Sequence, residues 1–80
     1  MTIRIYGPGC ARCHELEKRA RRAVEELGVA ADIVKVSDIK EIAAAGIMAT
    51  PGIAIDGRMM STGRIPSLDE IKKWVEEARP

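Results

Sequence analysis

Apolar and polar positions alternate through Ile3-Arg4-Ile5-Tyr6, and then the period of the chain changes. A two-residue period carried by β-branched side chains predicts a short β-strand. Gly7-Pro8-Gly9 breaks it. From Cys13 onward the apolar positions are Cys13, Leu16, Ala20, Ala23, Val24 and Leu27, the three-and-four spacing of one helix face. Gly28 predicts the left-handed residue that closes such a helix. Arg12, Glu15, Lys18, Arg19, Arg21, Arg22, Glu25 and Glu26 fill the other face. Its acids and bases interleave and no aromatic residue joins them, which predicts a solvated surface and not a nucleic-acid-binding one.

Ala31-Asp32-Ile33-Val34-Lys35-Val36 reads as a second strand. A strand, a crossover helix and a strand in succession predict a parallel βαβ unit. Asp38 followed by Glu41 predicts a capping box, with Ile39, Ile42 and Ala43 as the apolar face of a short helix that Gly46 ends. Ile47 to Gly52 is irregular and leads into a third strand, Ile53-Ala54-Ile55. Asp56-Gly57 is a two-residue hairpin signal, so Arg58-Met59-Met60-Ser61 should return antiparallel to it. Met59 and Met60 would face opposite sides, leaving at most one for the core. Ser67 and Glu70 predict a second capping box, ahead of a helix whose buried stripe is Leu68, Ile71, Trp74, Val75 and Ala78. The predicted order is β-α-β-α-β-β-α, without repeats or linkers.

The 80 residues predict one domain spanning 1–80, and the 46% apolar content is enough for it to fold alone. Thirteen basic and 12 acidic side chains leave a net charge of +1, which supplies no global attraction to nucleic acid or to a membrane surface. No run approaches the roughly 20 apolar residues of a membrane-spanning helix. Met1-Thr2-Ile3-Arg4-Ile5 opens without a signal peptide's apolar centre, so a cytoplasmic location is expected.

Both cysteines, Cys10 and Cys13, fall between the first strand and the first helix. As a structural staple the pair is poor, because closing so short a loop removes denatured-state entropy worth roughly 2 kcal/mol at best. Placed at a helix start, however, Cys10 meets unpaired N–H groups and the positive end of the helix dipole. Such sites lower a cysteine pKa from about 8.5 into a range of roughly 3.5 to 7.5, and the thiolate is the attacking species in disulfide exchange. Cys10 is therefore the expected nucleophile. Cys13, one turn on and within the apolar stripe, is the expected resolving cysteine. Arg12 places a cation between them that should favour the Cys10 thiolate. His14 reads as an exposed helix residue. Thr50-Pro51 reads locally as a rigid turn, and from local sequence alone a trans bond is expected.

Two other chemistries fit the cysteines alone. Cys10-Ala11-Arg12-Cys13-His14 spells the c-type haem attachment pattern, with Met48, Met59 or Met60 as the second axial ligand. Two thiolates also suit Cu(I), as in a metal carrier with Cys-x-x-Cys after its first strand. Such carriers end in a strand, whereas this chain is predicted to end in a helix.

Taken together, Gly7-Pro8-Gly9-Cys10-Ala11-Arg12-Cys13, Thr50-Pro51, Asp56-Gly57, Gly63-Arg64-Ile65-Pro66-Ser67 and the element order resemble the thioredoxin fold. The chain is most similar to the short, glutaredoxin-sized thioredoxin-like redox-active disulfide proteins of archaea and bacteria, over essentially its whole length. The resemblance implies a four-stranded mixed sheet with helices on both faces and a thiol–disulfide oxidoreductase that reduces protein disulfides. It implies a cis Thr50–Pro51 bond beside the dithiol, with Thr50 and Pro51 docking an extended client segment. The implied partners are disulfide-containing clients and a reductase of the thioredoxin-reductase type. No cofactor or metal is expected, and the protein should be a monomer. The chain departs from thioredoxins proper, which carry Trp before the first cysteine and Gly-Pro between the pair, where Gly9 and Ala11-Arg12 stand here. It also lacks an evident counterpart of their buried acid, since the first strand offers only Arg4 as a charge.

Overall fold

In a computed structural model of the chain, which describes residues 1–79, the strand predicted at the N-terminus lies inside the sheet. Chain order runs β1 (Thr2–Tyr6), α1 (Ala11–Leu27), β2 (Asp32–Val36), α2 (Ile39–Ala44), β3 (Gly52–Ile55), β4 (Arg58–Thr62) and α3 (Leu68–Ala78). The four strands line up as β2-β1-β3-β4. β1 pairs parallel to β2 through the α1 crossover and antiparallel to β3, which pairs antiparallel to β4. This is the β-α-β-α-β-β-α mixed sheet of the thioredoxin-like class, as expected.

The alternation in β1 decides which layer lies where. Ile3 and Ile5, with Ile53 and Ile55 of β3, pack with Leu16, Ala20 and Ala23 of α1 and with Ile71 and Val75 of α3. Fully burying one such branched side chain is worth roughly 1.5–3 kcal/mol. Ala20 and Ala23 have no exposed surface at all, so larger side chains there would overpack the layer. Tyr6 and Ala54 belong to a second cluster, with Ile42 of α2 and Ile47. The sheet thus has α1 and α3 on one face and α2 on the other.

Local differences from the predicted pattern have physical causes. Ile39 is 68% exposed, and Ala43 is exposed as well. The six-residue α2 buries only Ile42, and Ile47 from the following loop completes the cluster. Asp38 caps α2 by accepting from the Lys40 N–H at 2.8 Å, and Glu41 makes no return bond to the cap residue, so the predicted box is a simple N-cap. In α3, Trp74 is half-buried and Ala78 exposed, because only Ile71 and Val75 reach the core centre. A β-bulge interrupts β4: Ala54 pairs with Met59 and Ile53 with Ser61, leaving Met60 as the extra residue. Met60 packs against the main core, whereas Met59 stays 39% exposed.

Turn chemistry follows the predictions closely. Asp56 and Gly57 both have positive φ, at 50° and 82°, the signature of the tight hairpin their sequence announces. Asp56 also binds β1, donating its N–H to the Thr2 carbonyl and accepting the Thr2 N–H at Oδ1, each at 2.8 Å. The second capping box is complete: Ser67 Oγ accepts from the Glu70 N–H, and Glu70 Oε1 accepts from the Ser67 N–H, both at 3.1 Å. Arg64 grips the same carboxylate with two bonds of 3.1 and 2.8 Å and is the main reason the Glu70 pKa is lowered to about 2. The turn from Gly63 to Ser67 is therefore held rigidly at the start of α3. Ser67→Ala should cost about 1 kcal/mol and lower the thermal midpoint by roughly 4–8 °C. A melt followed by circular dichroism checks this, and an unchanged midpoint would show the cap to be dispensable.

Candidate active site

The chain leaves β1 at Tyr6 and must turn into α1 within four residues. Gly7 continues the sheet by one bond, its N–H donating to the Val36 carbonyl at 3.0 Å. Gly9, with φ of 92°, then makes the bend. Cys10 is the N-cap of α1, with extended backbone, and its carbonyl accepts the His14 N–H at 3.1 Å. These features set Cys10 in solvent and Cys13 inside, only 6% exposed.

The two sulfur atoms are 3.0 Å apart. That is hydrogen-bonding distance for a thiol and a thiolate, and about 1 Å longer than a disulfide bond. The environments of the two differ, and their pKa values are pushed apart. Cys10 is lowered, first by the hydrogen bond from the Cys13 thiol and next by the backbone N–H groups of Cys13 and Arg12. Cys13 is raised, first by burial and then by holding the proton it donates to Cys10. The two shifts make the exposed sulfur the easier of the pair to ionise and the buried one the harder.

Room for the buried sulfur comes from a missing side chain. A Cβ on Gly7 would overlap Cys13 Sγ, lie 3.3 Å from Cys13 Cβ and stand 3.9 Å from Thr50 Cβ. Gly7 therefore stands between the dithiol and the Thr50-Pro51 segment. Thr50–Pro51 is a cis peptide bond, where local sequence favours trans. Pro51 is fully buried and Thr50 half-buried. The Pro51 carbonyl accepts the Gly63 N–H at 2.9 Å, joining this segment to the turn before α3. From sequence, Gly7 is legible only as the end of a strand. Its spatial role depends on residues that meet it from two distant segments.

Arg12 is placed differently from its sequence-based reading. Its guanidinium donates from Nη2 to the Gly63 carbonyl at 3.1 Å. Among the influences that lower Cys10, Arg12 contributes its backbone N–H. His14 is exposed, as expected. Behind Cys13 lies a cavity of about 30 Å³, lined by Ile5, Gly7, Gly9, Cys13, His14, Glu17, Lys35 and Ser37. Glu17, one helical turn beyond Cys13, is held ionised by Arg21 and, more weakly, by Lys35 at 3.4 Å. It is the acid that lines the same cavity as Cys13, and the Cys13–Glu17 spacing of one helical turn is the sequence signal that points to it. Among the described residues, no cluster of three or more metal-ligating side chains occurs, and no helix is long and apolar enough to cross a membrane.

Gly7→Ala tests the packing. Overfilling a close-packed site costs typically 1–3 kcal/mol, so the reduced protein should lose about that much in a denaturant titration. Any reaction that needs Cys13 Sγ beside Cys10 should slow as well, because Cys13 has to move. Wild-type stability with wild-type activity would mean that the site accommodates a methyl group and that Gly7 is not its spacer.

A family model described as "Thioredoxin domain" matches residues 1–76. A thioredoxin of Methanothermobacter thermautotrophicus is 51% identical over 73 residues, which cover 91% of this chain and 95% of that protein. A thioredoxin of Methanocaldococcus jannaschii is 47% identical over 73 residues, covering 91% of this chain and 84% of the relative. With this match, a Cys-x-x-Cys pair at a helix start and a terminal helix where a copper carrier would have a strand, the chain belongs to the thioredoxin domain family and is a thiol–disulfide oxidoreductase.

Proposed function

We propose that the protein reduces client disulfides, with Cys10 as the nucleophile and Cys13 as the resolving thiol. The observation that carries this reading is the asymmetry of the pair: an exposed, thiolate-favouring sulfur 3.0 Å from a buried, proton-holding one. The Cys10 thiolate attacks one sulfur of the client disulfide. A Cys10–client bond forms, the client S–S bond breaks, and the first client sulfur leaves as a thiolate that takes a proton from solvent. Cys13 then loses its proton and attacks Cys10 Sγ. The mixed disulfide breaks, the second client sulfur leaves, and the two electrons gained by the client are those lost in forming Cys10–Cys13.

Cys13 cannot return its proton to Cys10 once that sulfur is bonded to a client. The cavity behind Cys13, about 30 Å³, has room for a water. His14 and Glu17 are among the residues that line it. Thr50 and Pro51 dock the client as an extended segment, a role supported by Gly7 bringing Thr50 close to Cys13. The oxidised pair is returned to the dithiol by a reductase of the thioredoxin-reductase type, and the protein works as a monomer in the reducing cytoplasm. There, a dithiol with a stabilised thiolate stays reduced more readily than two ordinary thiols.

With dithiothreitol as electron source, the protein should reduce insulin, measured as the turbidity of the released chains. Cys10→Ser should lose this activity by at least a hundredfold. Cys13→Ser should attack but not resolve, so that clients from a cell extract remain attached through Cys10 and are released by dithiothreitol. Full activity of Cys10→Ser, or capture by Cys10→Ser in place of Cys13→Ser, would reverse the two roles.

A further inference from the structure

Arg12 is a cation inside the dithiol motif whose charge has no ionic partner among the described residues. Its guanidinium is exposed and donates only to a neutral acceptor, the Gly63 carbonyl, at 3.1 Å. Two acids of the neighbouring elements are already engaged. Glu15 is held by Arg19 on α1 at 3.1 Å, and Glu70 on α3 by Arg64 at 2.8 Å. A carboxylate offers the guanidinium two parallel bonds and an opposite charge, where the carbonyl accepts one bond and carries none, so a carboxylate arriving at this rim outcompetes the carbonyl for Arg12. The released carbonyl is at the surface and takes a water instead.

We infer that Arg12 is a specificity-determining residue that selects client disulfides flanked by an acidic side chain. The inference rests on Cys10 being the attacking thiolate. A client carboxylate near its disulfide repels that thiolate and slows attack. Arg12, two residues from Cys10 and one hydrogen bond from Gly63, can swing onto the carboxylate and cancel the repulsion. A client lysine at the same position gains nothing from Arg12 and is repelled by it. Gly63 fixes where this exchange happens, because its N–H is tied to the Pro51 carbonyl at 2.9 Å and its Cα lies against Ala49, with a Cβ there only 3.2 Å from that of Ala49. The unpaired arginine therefore lies on the rim that joins Cys10 to the Thr50-Pro51 segment, where a docked client must pass.

The test uses three disulfide-linked peptides, identical except for Glu, Gln or Lys beside the cysteine. Each is reduced in a single turnover by the fully reduced protein, and the second-order rate constant is measured. At about 10 mM salt the Glu peptide should react roughly threefold to fivefold faster than the Lys peptide, the scale of an exposed ion pair. At about 0.5 M salt the ratio should shrink towards one. Arg12→Gln should remove the preference whatever its absolute rates, Arg12→Lys should keep most of it, and Arg12→Glu should invert it. A simple structural role for Arg12 would move all three rates together. The inference is overturned if the Glu-to-Lys ratio is the same in wild type and Arg12→Gln, or if it does not respond to Arg12→Glu. Failure of every peptide to react with wild type would instead refute the assignment of Cys10 as nucleophile.

Discussion

A single hydrogen bond between two sulfur atoms, 3.0 Å long, joins the exposed and the buried halves of this site. It needs one sulfur in solvent and the other out of it, on the same turn of helix. Most of the neighbouring architecture serves that requirement. β1 delivers the chain to the sheet end, Gly9 bends it, and Cys10 begins α1 as its cap. Cys13 then falls on the stripe that α1 buries with Leu16, Ala20 and Ala23. Gly7 leaves open the volume that Cys13 Sγ occupies. Burial and the sulfur–sulfur hydrogen bond both raise Cys13, and the same bond lowers Cys10, so the two effects act together to separate the pair.

Around this centre, three segments distant in sequence meet at the main chain of Gly63. Gly63 accepts from Arg12 at 3.1 Å and donates to Pro51 at 2.9 Å. The turn that carries Gly63 is itself clamped, by Arg64 on Glu70 and by Arg19 donating to the Pro66 carbonyl at 2.9 Å. A rigid turn keeps the rim of the site in a fixed relation to the sulfur atoms. The arginines thus divide the work. Arg19 and Arg64 hold the scaffold with ionic or carbonyl contacts, and Arg12 donates only to the Gly63 carbonyl, which leaves it the role proposed above.

Much of this was legible in the sequence because the layers depend on periodicity. The stripe from Cys13 to Leu27, the alternation through Ile3 and Ile5, the Asp56-Gly57 turn and the Ser67–Glu70 box are local patterns, and each formed where its chemistry placed it. What was not legible depends on tertiary neighbours. Ile39 satisfies the helical spacing but is exposed, because α2 is too short to bury more than one position. The bulge at Met60 follows from how β4 meets β3, and neither strand announces it. Gly7 looks like punctuation until Cys13 and Thr50 converge on it. The first strand offers only Arg4 as a charge, and the carboxylate that shares a cavity with Cys13 is Glu17 of α1, which the reading of that helix's faces left out. The direction of the Arg12 side chain was equally hidden, since Gly63 is far away in sequence. For Thr50–Pro51, local preference and family resemblance pointed opposite ways, and the bond is cis.

The division of labour between the sulfurs is tested most directly by titrating the Cβ chemical shifts of both cysteines in the reduced protein. Cys10 should ionise first, below the ordinary thiol value of about 8.5. Cys13 should ionise above it, and Cys13→Ala should move Cys10 upward because its strongest donor is gone. Coincident titration of the two at the ordinary value, or ionisation of Cys13 before Cys10, would contradict the account.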